Sequence, residues 1–317
     1  MAALNSFERA RRGLGVSGGG RQPLTGNKLR SERGRTYALL TLPSIVLIIL
    51  INLYPLIFAG VQSVNNGSLV SSGDFVGLAN YGKVLGWADF WHACLFTLIF
   101  TVVGVLGSWV IGLALALGLR AHIPASGVFK VLLLLPWVVP IIVSSMSWNW
   151  LVATPQSPIP MIASALGFHN ITILSNPTFA GILVCLFKVW ASFPFMMMMM
   201  MSAALTSIDK NVYEAARVDG AAGWNQFMYI TLPLIARTTY ISWILMTIFC
   251  VNDFPTIYLL TGGGPVNSTT TLVVLAYRTV FENFQVGPGV AIAFLTTIVL
   301  VVVSIIFYRR LQKVVIE

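Results

Sequence analysis

The chain has 317 residues, 57% of them apolar and only 9% charged, with a mean hydropathy of +0.84. Soluble domains carry about 25% charged residues, so the composition excludes an ordinary soluble domain and fits a chain built for lipid. The net charge of +9 is not a nucleic-acid footprint. All but Lys83, Lys188 and Arg278 of the nineteen basic residues fall on one side of the predicted spans, the pattern of cytoplasmic segments.

Residues 1–35 are basic, Gly-rich and without an apolar face, and are expected to be an unfolded cytoplasmic tail held near anionic lipid. Arg11–Arg12 has no closely following signal-type apolar run, so it is not read as a twin-arginine signal. Residues 36–317 then supply six apolar segments, Tyr37–Ala59, Phe90–Leu119, Val128–Leu151, Phe179–Ala203, Thr238–Leu260 and Gly289–Phe307. Each is close to the roughly 20 residues that cross a hydrocarbon core of about 30 Å. Six membrane-spanning helices in an all-α protein follow, with both termini cytoplasmic.

Within the spans, Pro43, Pro55, Pro136, Pro140, Pro194 and Pro255 free backbone groups that lipid cannot satisfy. Such breaks survive where protein or a wet cavity covers them. Gly104, Gly107 and Gly112 permit close helix approach in the second span. The run Met196 to Met201 reads as apolar packing, not as a metal site. Cys94, Cys185 and Cys250 read as small buried apolar residues. Asn66, Asn170 and Asn267 sit in N-x-S/T sequons, which are weak evidence in a chain this long. Pro155–Pro160 is expected to be a rigid loop, and "TGGGPVNSTTT" after the fifth span an irregular, mobile or tightly turning connection without the spacing of a phosphate-cradling loop. His92, His122 and His169 lie at different membrane ends, and no catalytic motif is present, so an embedded enzyme is unsupported.

Between the fourth and fifth spans, residues 206–233 read as two short helices. Thr206 or Ser207 caps the first, with Asp209 in its first turn. Lys210–Glu214 and Glu214–Arg217 are spaced for ion pairs on one face. Gly220 supplies a turn after Asp219, and "AAGWNQFMYI" forms a second helix ending near Leu232–Pro233. Ala215, Ala216, Ala221 and Ala222 keep the surface shallow enough for a partner's groove. The other account of this segment is an interfacial amphipathic linker.

Two charges lie inside spans, Lys188 and Asp253, and such charges default to functional hypotheses. Helical spacing puts Asp253 on a face with Cys250, Phe249 and Met246, and puts Lys188 beside a face of Val189, Ser192, Phe193 and Met196 with Pro194 nearby. These nine residues form the candidate solute pathway, with Asp253 as hydrogen-bond partner and Phe249 as a stacking ring. The alternative is that Lys188 and Asp253 pair with each other, or with backbone carbonyls, to fix helix packing. A self-contained secondary transporter or channel is the rival function. It would require coupling-ion residues and often an internal repeat, neither of which is evident.

The pattern Glu214-Ala215-Ala216, then Gly220, then Ile230-x-Leu232-Pro233 resembles the EAA loop of permease subunits of bacterial binding-protein-dependent ABC importers. "FVGLANYGKVL" and "LLTGGGPVNSTTTL" are similar to the carbohydrate branch, the maltose-type and glycerol-phosphate-type permeases, and the likeness covers about residue 36 to the end. The resemblance implies a type I importer permease fold in its six-span form. It implies a coupling role for Glu214, Ala215, Ala216, Asp219 and Gly220, docked on a separate ATPase that uses ATP and Mg. It further implies a second homologous permease, two ATPase subunits, an external solute-binding protein, a sugar or polyol as cargo, and residence in the bacterial inner membrane. The pathway faces match positions lining the sugar site of the maltose-type permease. The residue types differ there, so the particular sugar does not carry over.

Overall fold

The computed structural model describes residues 26–68, 71, 73–119, 124–168, 172–201 and 208–316. Residues 1–25 of the expected tail, His122, His169, Asn170 and the end of the expected fourth span lie outside them. Two compact units result, one ending at Phe58 and one beginning at Ala59.

Helix α1, Gly26–Ser63, contains Pro43 and Pro55 without being interrupted. It starts eleven residues ahead of the expected span. Residues 26–35, expected to be unfolded, are helical. Once the apolar run has formed its helix, each added turn gains a hydrogen bond without a new nucleation cost.

In the second unit, α2 (Ala79–Leu85) leads into α3 (Ala88–Gly118), a 31-residue span at the expected place. Asn80 donates to the carbonyls of Ser63 and Asn65 at 2.9 Å each, fastening the connection before α3. The expected third span is two helices, α4 (Ser126–Val138) and α5 (Ile141–Val152), bent by 86°. The cause is local. Pro140 disfavours helical geometry at the residue before it, and Val139 is extended with ψ 130°. The Pro155–Pro160 stretch, expected as a loop, contributes the start of α6 (Pro158–Ala165), where proline occupies the first turn without losing a needed donor.

Helix α7, Pro177–Met199, opens on Asn176, whose side chain accepts from the amides of Thr178 (2.9 Å) and Phe179 (3.2 Å). Pro194 lies inside α7 and does not end it. Next come α8 (Lys210–Val218) and α9 (Trp224–Gln226). A π-helical turn, Phe227–Thr231, then leads into α10 (Leu232–Val251). The chain breaks at Asn252–Asp253 and continues as α11 (Phe254–Leu260), α12 (Leu272–Tyr277), a second π turn (Arg278–Glu282) and α13 (Val286–Ile316). Among the described residues, five helices are long and apolar enough to cross a membrane, and the bent α4–α5 pair makes six if it counts as one span. Among the described residues the protein is all-α apart from one antiparallel bridge, Asn65–Phe75.

Three of the four glycines of α3, Gly104, Gly107 and Gly112, fix how the spans meet. A Cβ at Gly104 would lie 2.9 Å from Cys250 Sγ and 3.1 Å from Lys188 Cγ. At Gly107 it would lie 2.7 Å from Val189 Cγ2, and at Gly112 it would lie 2.7 Å from both Met196 Cβ and the Met197 amide. Hydrogen there lets the α3 and α7 backbones approach, the device expected where lipid removes the hydrophobic drive for helix association. The core on either side holds Phe100, Phe187, Met246 and Ile257 in one cluster and Leu113, Met197, Met200 and Ile235 in another. The methionine run therefore serves as packing, with Met196, Met197 and Met200 buried, Met199 and Met201 half-buried and Met198 exposed.

The glycine-rich connection after α11 is tightly turned. Gly262 and Gly263 take positive φ, Thr269 Oγ1 donates to the Gly264 carbonyl at 2.7 Å, and Thr270 Oγ1 donates to the Gly263 carbonyl at 3.0 Å. Arg278 closes the turn through the Gly262 carbonyl and, at 3.0 Å, Asn267 Oδ1.

Candidate functional site

The coupling segment is anchored from one side of α8 and open on the other. Tyr213 and Ala216, three residues apart, are buried, while Glu214, Ala215, Arg217, Val218, Asp219 and Gly220 are exposed. The Tyr213 hydroxyl meets Thr231 Oγ1 at 3.2 Å, and Gln226 Nε2 donates to the Tyr213 carbonyl at 3.3 Å. These contacts tie α8 to the π turn that starts α10, so α8 is bound to one end of a span.

Both ends of α8 are capped. The cap is Asp209, not a first-turn residue as expected, and its Oδ1 accepts from the Asn211 amide at 3.0 Å. Thr206 and Ser207, the expected caps, lie outside the described residues. At the other end Gly220 has φ +83°, its amide donates to the Arg217 carbonyl at 3.1 Å, and the Ala221 amide donates to the Ala216 carbonyl at 2.8 Å. That pair of bonds is a Schellman motif, which needs a left-handed residue at this position.

Two expectations here are corrected. The second helix does not end at Leu232–Pro233. It runs on into α10, because the π turn over Phe227–Thr231 shifts the hydrogen-bond register just ahead of a proline that has no amide to offer. Neither Lys210–Glu214 nor Glu214–Arg217 closes to an ion pair among the described residues. The three side chains instead line a polar groove of about 460 Å³ with Tyr213, Gln226, Phe227 and Thr231.

A second groove, of about 380 Å³, lies at the breaks in the third and fifth spans. Asp253 is not on the α10 face proposed from helical spacing. Pro255 in a continuous helix would clash with the Val251 carbonyl, so α10 stops there. Asp253 becomes the N-cap of α11, its Oδ1 accepting from the Thr256 amide at 3.1 Å and its Oδ2 from Thr256 Oγ1 at 2.8 Å. Oδ2 also meets Lys188 Nζ at 2.7 Å in an ion pair only 7–8% exposed. Lys188 Nζ lies 5.9 Å from the Phe100 ring centroid, a second favourable contact for a desolvated ammonium.

The pairing alternative is thus realised, and both partners still line the groove. Ser192 and Phe249 join them there. Val189 and Met196 do not, because they pack on Gly107 and Gly112. Met246 and Cys250 are in the core, and Phe193 is buried away from the groove's lining. The helix ends at Val251 and the next begins at Phe254, so Met246 to Asp253 is not one continuous helical face. Sequence reasoning missed Trp137 and Asn252, which also line the groove. Trp137 stacks on Phe195 at 5.2 Å and tilts on Phe249 at 6.2 Å, giving the groove an aromatic wall. Pro136, Pro140 and Pro255 had marked the place, since all three line it.

Thr256 is fully buried and holds the pair's acid through two bonds. Thr256→Val is expected to remove about 1.5–3 kcal/mol, the usual worth of a hydrogen bond to a charged group. Thermal unfolding of the purified protein should fall by several degrees in Thr256→Val and stay near the parent in Thr256→Ser. Equal midpoints for all three would show that the hydroxyl contributes nothing.

Residues 108–316 match the family described as binding-protein-dependent transport system inner membrane component. The trehalose/maltose transport system permease protein MalF of Thermococcus litoralis is 31% identical over 284 residues, covering 89% of this chain and 96% of that protein. The trehalose transport system permease protein SugA of Mycobacterium tuberculosis is 31% identical over 287 residues, covering 90% of this chain and 91% of that one. The fold is shared with a bacterial ABC transporter involved in the import of the acidic polysaccharide alginate. That chain has a TM-score of 0.76 and 20% identity, with 90% of this chain and 99% of that one aligned. The type I importer permease fold expected from the EAA pattern is therefore the fold observed, and a self-contained channel or secondary transporter is not favoured. The chain belongs to the family of multi-pass inner membrane components of binding-protein-dependent transport systems.

Proposed function

We propose that this chain is one half of the membrane pore of an ATP-driven importer carrying a sugar or related polyol into the cytoplasm. The observation that carries the proposal is the coupling segment: a short helix capped at both ends, fastened to the start of α10 through Tyr213, and presenting Glu214, Ala215, Asp219 and Gly220 outward. Such a lever transmits movement that a loose loop would dissipate. The relatives named for trehalose, maltose and diacetylchitobiose support the carbohydrate class.

The partners follow from this role. Two cytoplasmic ATPase subunits bind and hydrolyse ATP with Mg, one of them docked on α8. A second homologous permease completes the pore, and a solute-binding protein delivers cargo on the outer side, with both termini of this chain cytoplasmic. A structural neighbour is described in complex with an alginate pentasaccharide-bound periplasmic protein, in line with such delivery. The cycle is alternating access: closure of the ATPase pair opens the pore outward, and hydrolysis returns it inward. The solute passes the groove at the span breaks, where Trp137 and Phe249 offer ring faces and Ser192, Asn252 and the Lys188–Asp253 pair offer hydrogen bonds.

The test is purification of the tagged chain from its native host in mild detergent. One related permease and one ATPase at two copies are expected to accompany it. Isolation of the chain alone, able to transport in liposomes without ATP, would overturn the proposal.

A further inference from the structure

The groove at the span breaks has two charged lining residues among those described, Lys188 and Asp253, and they cancel each other. The remaining polar side chains on its wall, Ser192 and Asn252, are uncharged, and the rest is aromatic, aliphatic or proline. Asp253 has both carboxylate oxygens engaged, one by the Thr256 amide and the other by Thr256 Oγ1 and Lys188 Nζ. The ammonium's charge is therefore already met by a carboxylate. An acidic solute that drew Lys188 away from its 2.7 Å contact would leave Asp253 buried without its cation, the costly state for an ion in such surroundings. A cationic solute meets the same difficulty with Lys188.

We propose that this groove selects an uncharged solute, and that Asp253 is a specificity-determining residue that cancels Lys188 and so turns acidic sugars away. The proposal rests on the groove being the solute site, as put forward above. Charge class is a real variable among proteins of this fold, since the structural neighbour is described for an acidic polysaccharide. The volume of about 380 Å³ lies within the range of small-molecule sites, about 300–1,000 Å³. Single sugar rings are thus suitable probes.

Glucose, glucuronate and glucosamine share one skeleton and differ in charge at neutral pH. Their binding to the purified permease–ATPase complex, without the binding protein, is to be measured by saturation-transfer NMR. The parent complex is expected to bind glucose at least about tenfold tighter than glucuronate, which is about 1.4 kcal/mol. Asp253→Asn should shrink or reverse that ratio by exposing the Lys188 charge. Lys188→Gln should raise glucosamine relative to glucose, and this second variant carries the test if the first does not fold. A purely structural pair would lower all three affinities together and leave their ratios alone. Unchanged ratios in both variants, or a parent that prefers glucuronate, would overturn the charge-selection proposal. No binding of any probe by the parent would instead overturn the groove as solute site, and the selectivity proposal with it.

Discussion

Replacing Gly112 with leucine is expected to prevent formation of a stable protein. A Cβ there would stand 2.7 Å from Met196 Cβ, 2.7 Å from the Met197 amide and 2.9 Å from the Met196 carbonyl carbon. The Met197 amide nitrogen and the Met196 carbonyl carbon are backbone atoms of α7, so no side-chain rotation relieves the contact and the two helices must part. Overpacking a core costs about 1–3 kcal/mol even where side chains give way. Here the strain also separates α3 from the helix that carries Lys188. Against a total stability of about 5–15 kcal/mol this is a large fraction. Gly118, in the last turn of the same helix, has nothing within 4 Å of a built Cβ, so Gly118→Ala should be neutral or slightly stabilising. The two variants are to be compared by yield of monodisperse protein and by thermal unfolding. A monodisperse Gly112→Leu protein with the parent's midpoint would refute the close-packing account of α3 and α7.

Gly220→Val is expected to lower uptake by at least about a hundredfold while leaving the protein inserted and folded. A built Cβ at Gly220 meets nothing within 4 Å, so the substitution brings no clash. Its effect is on the backbone alone: φ is +83°, and a β-branched residue held there is strained by about 1–3 kcal/mol. The relief is to unwind the Schellman turn, which redirects the exposed end of α8 while Tyr213 stays anchored. Asparagine tolerates left-handed geometry, so Gly220→Asn should keep much of the uptake. Glu214→Lys tests the same surface through charge, since Glu214 is exposed on α8 and its reversal should weaken co-purification of the ATPase. Solute uptake and ATPase recovery are the readouts. Parent-like values in both Gly220→Val and Glu214→Lys would leave the amphipathic-linker account of this segment standing.

Much of the architecture was legible because lipid imposes length. A run such as Phe90–Leu119 has few alternatives to a span, and α3 occupies nearly that range. The glycines of α3 were also readable, since small residues at a membrane helix contact have one main use. What the sequence concealed were the interruptions. Val128–Leu151 and Thr238–Leu260 are each apolar enough to read as one span, and hydropathy does not register that Pro140 turns one by 86° or that Pro255 ends the helix of the other at Val251. Missing the break at Asn252 placed Asp253 on the α10 face, and five of the nine candidate residues, Val189, Phe193, Met196, Met246 and Cys250, do not line the groove. The Lys188–Asp253 pair survived it, because two lone charges in apolar helices need each other wherever the chain turns. Trp137 carried no periodic signal at all. It enters the groove only because the bend at Val139–Pro140 lies next to it.

The most direct measurement of the central claim is solute uptake by proteoliposomes containing this chain, its partner permease and the ATPase. ATP with Mg would be enclosed within the vesicles or withheld, and the sugar-loaded binding protein supplied outside or omitted. The account predicts accumulation of sugar only when ATP and binding protein are both present, and its loss on substitution of Gly220 by valine. Accumulation by this chain alone, with no ATP and no binding protein, would contradict it.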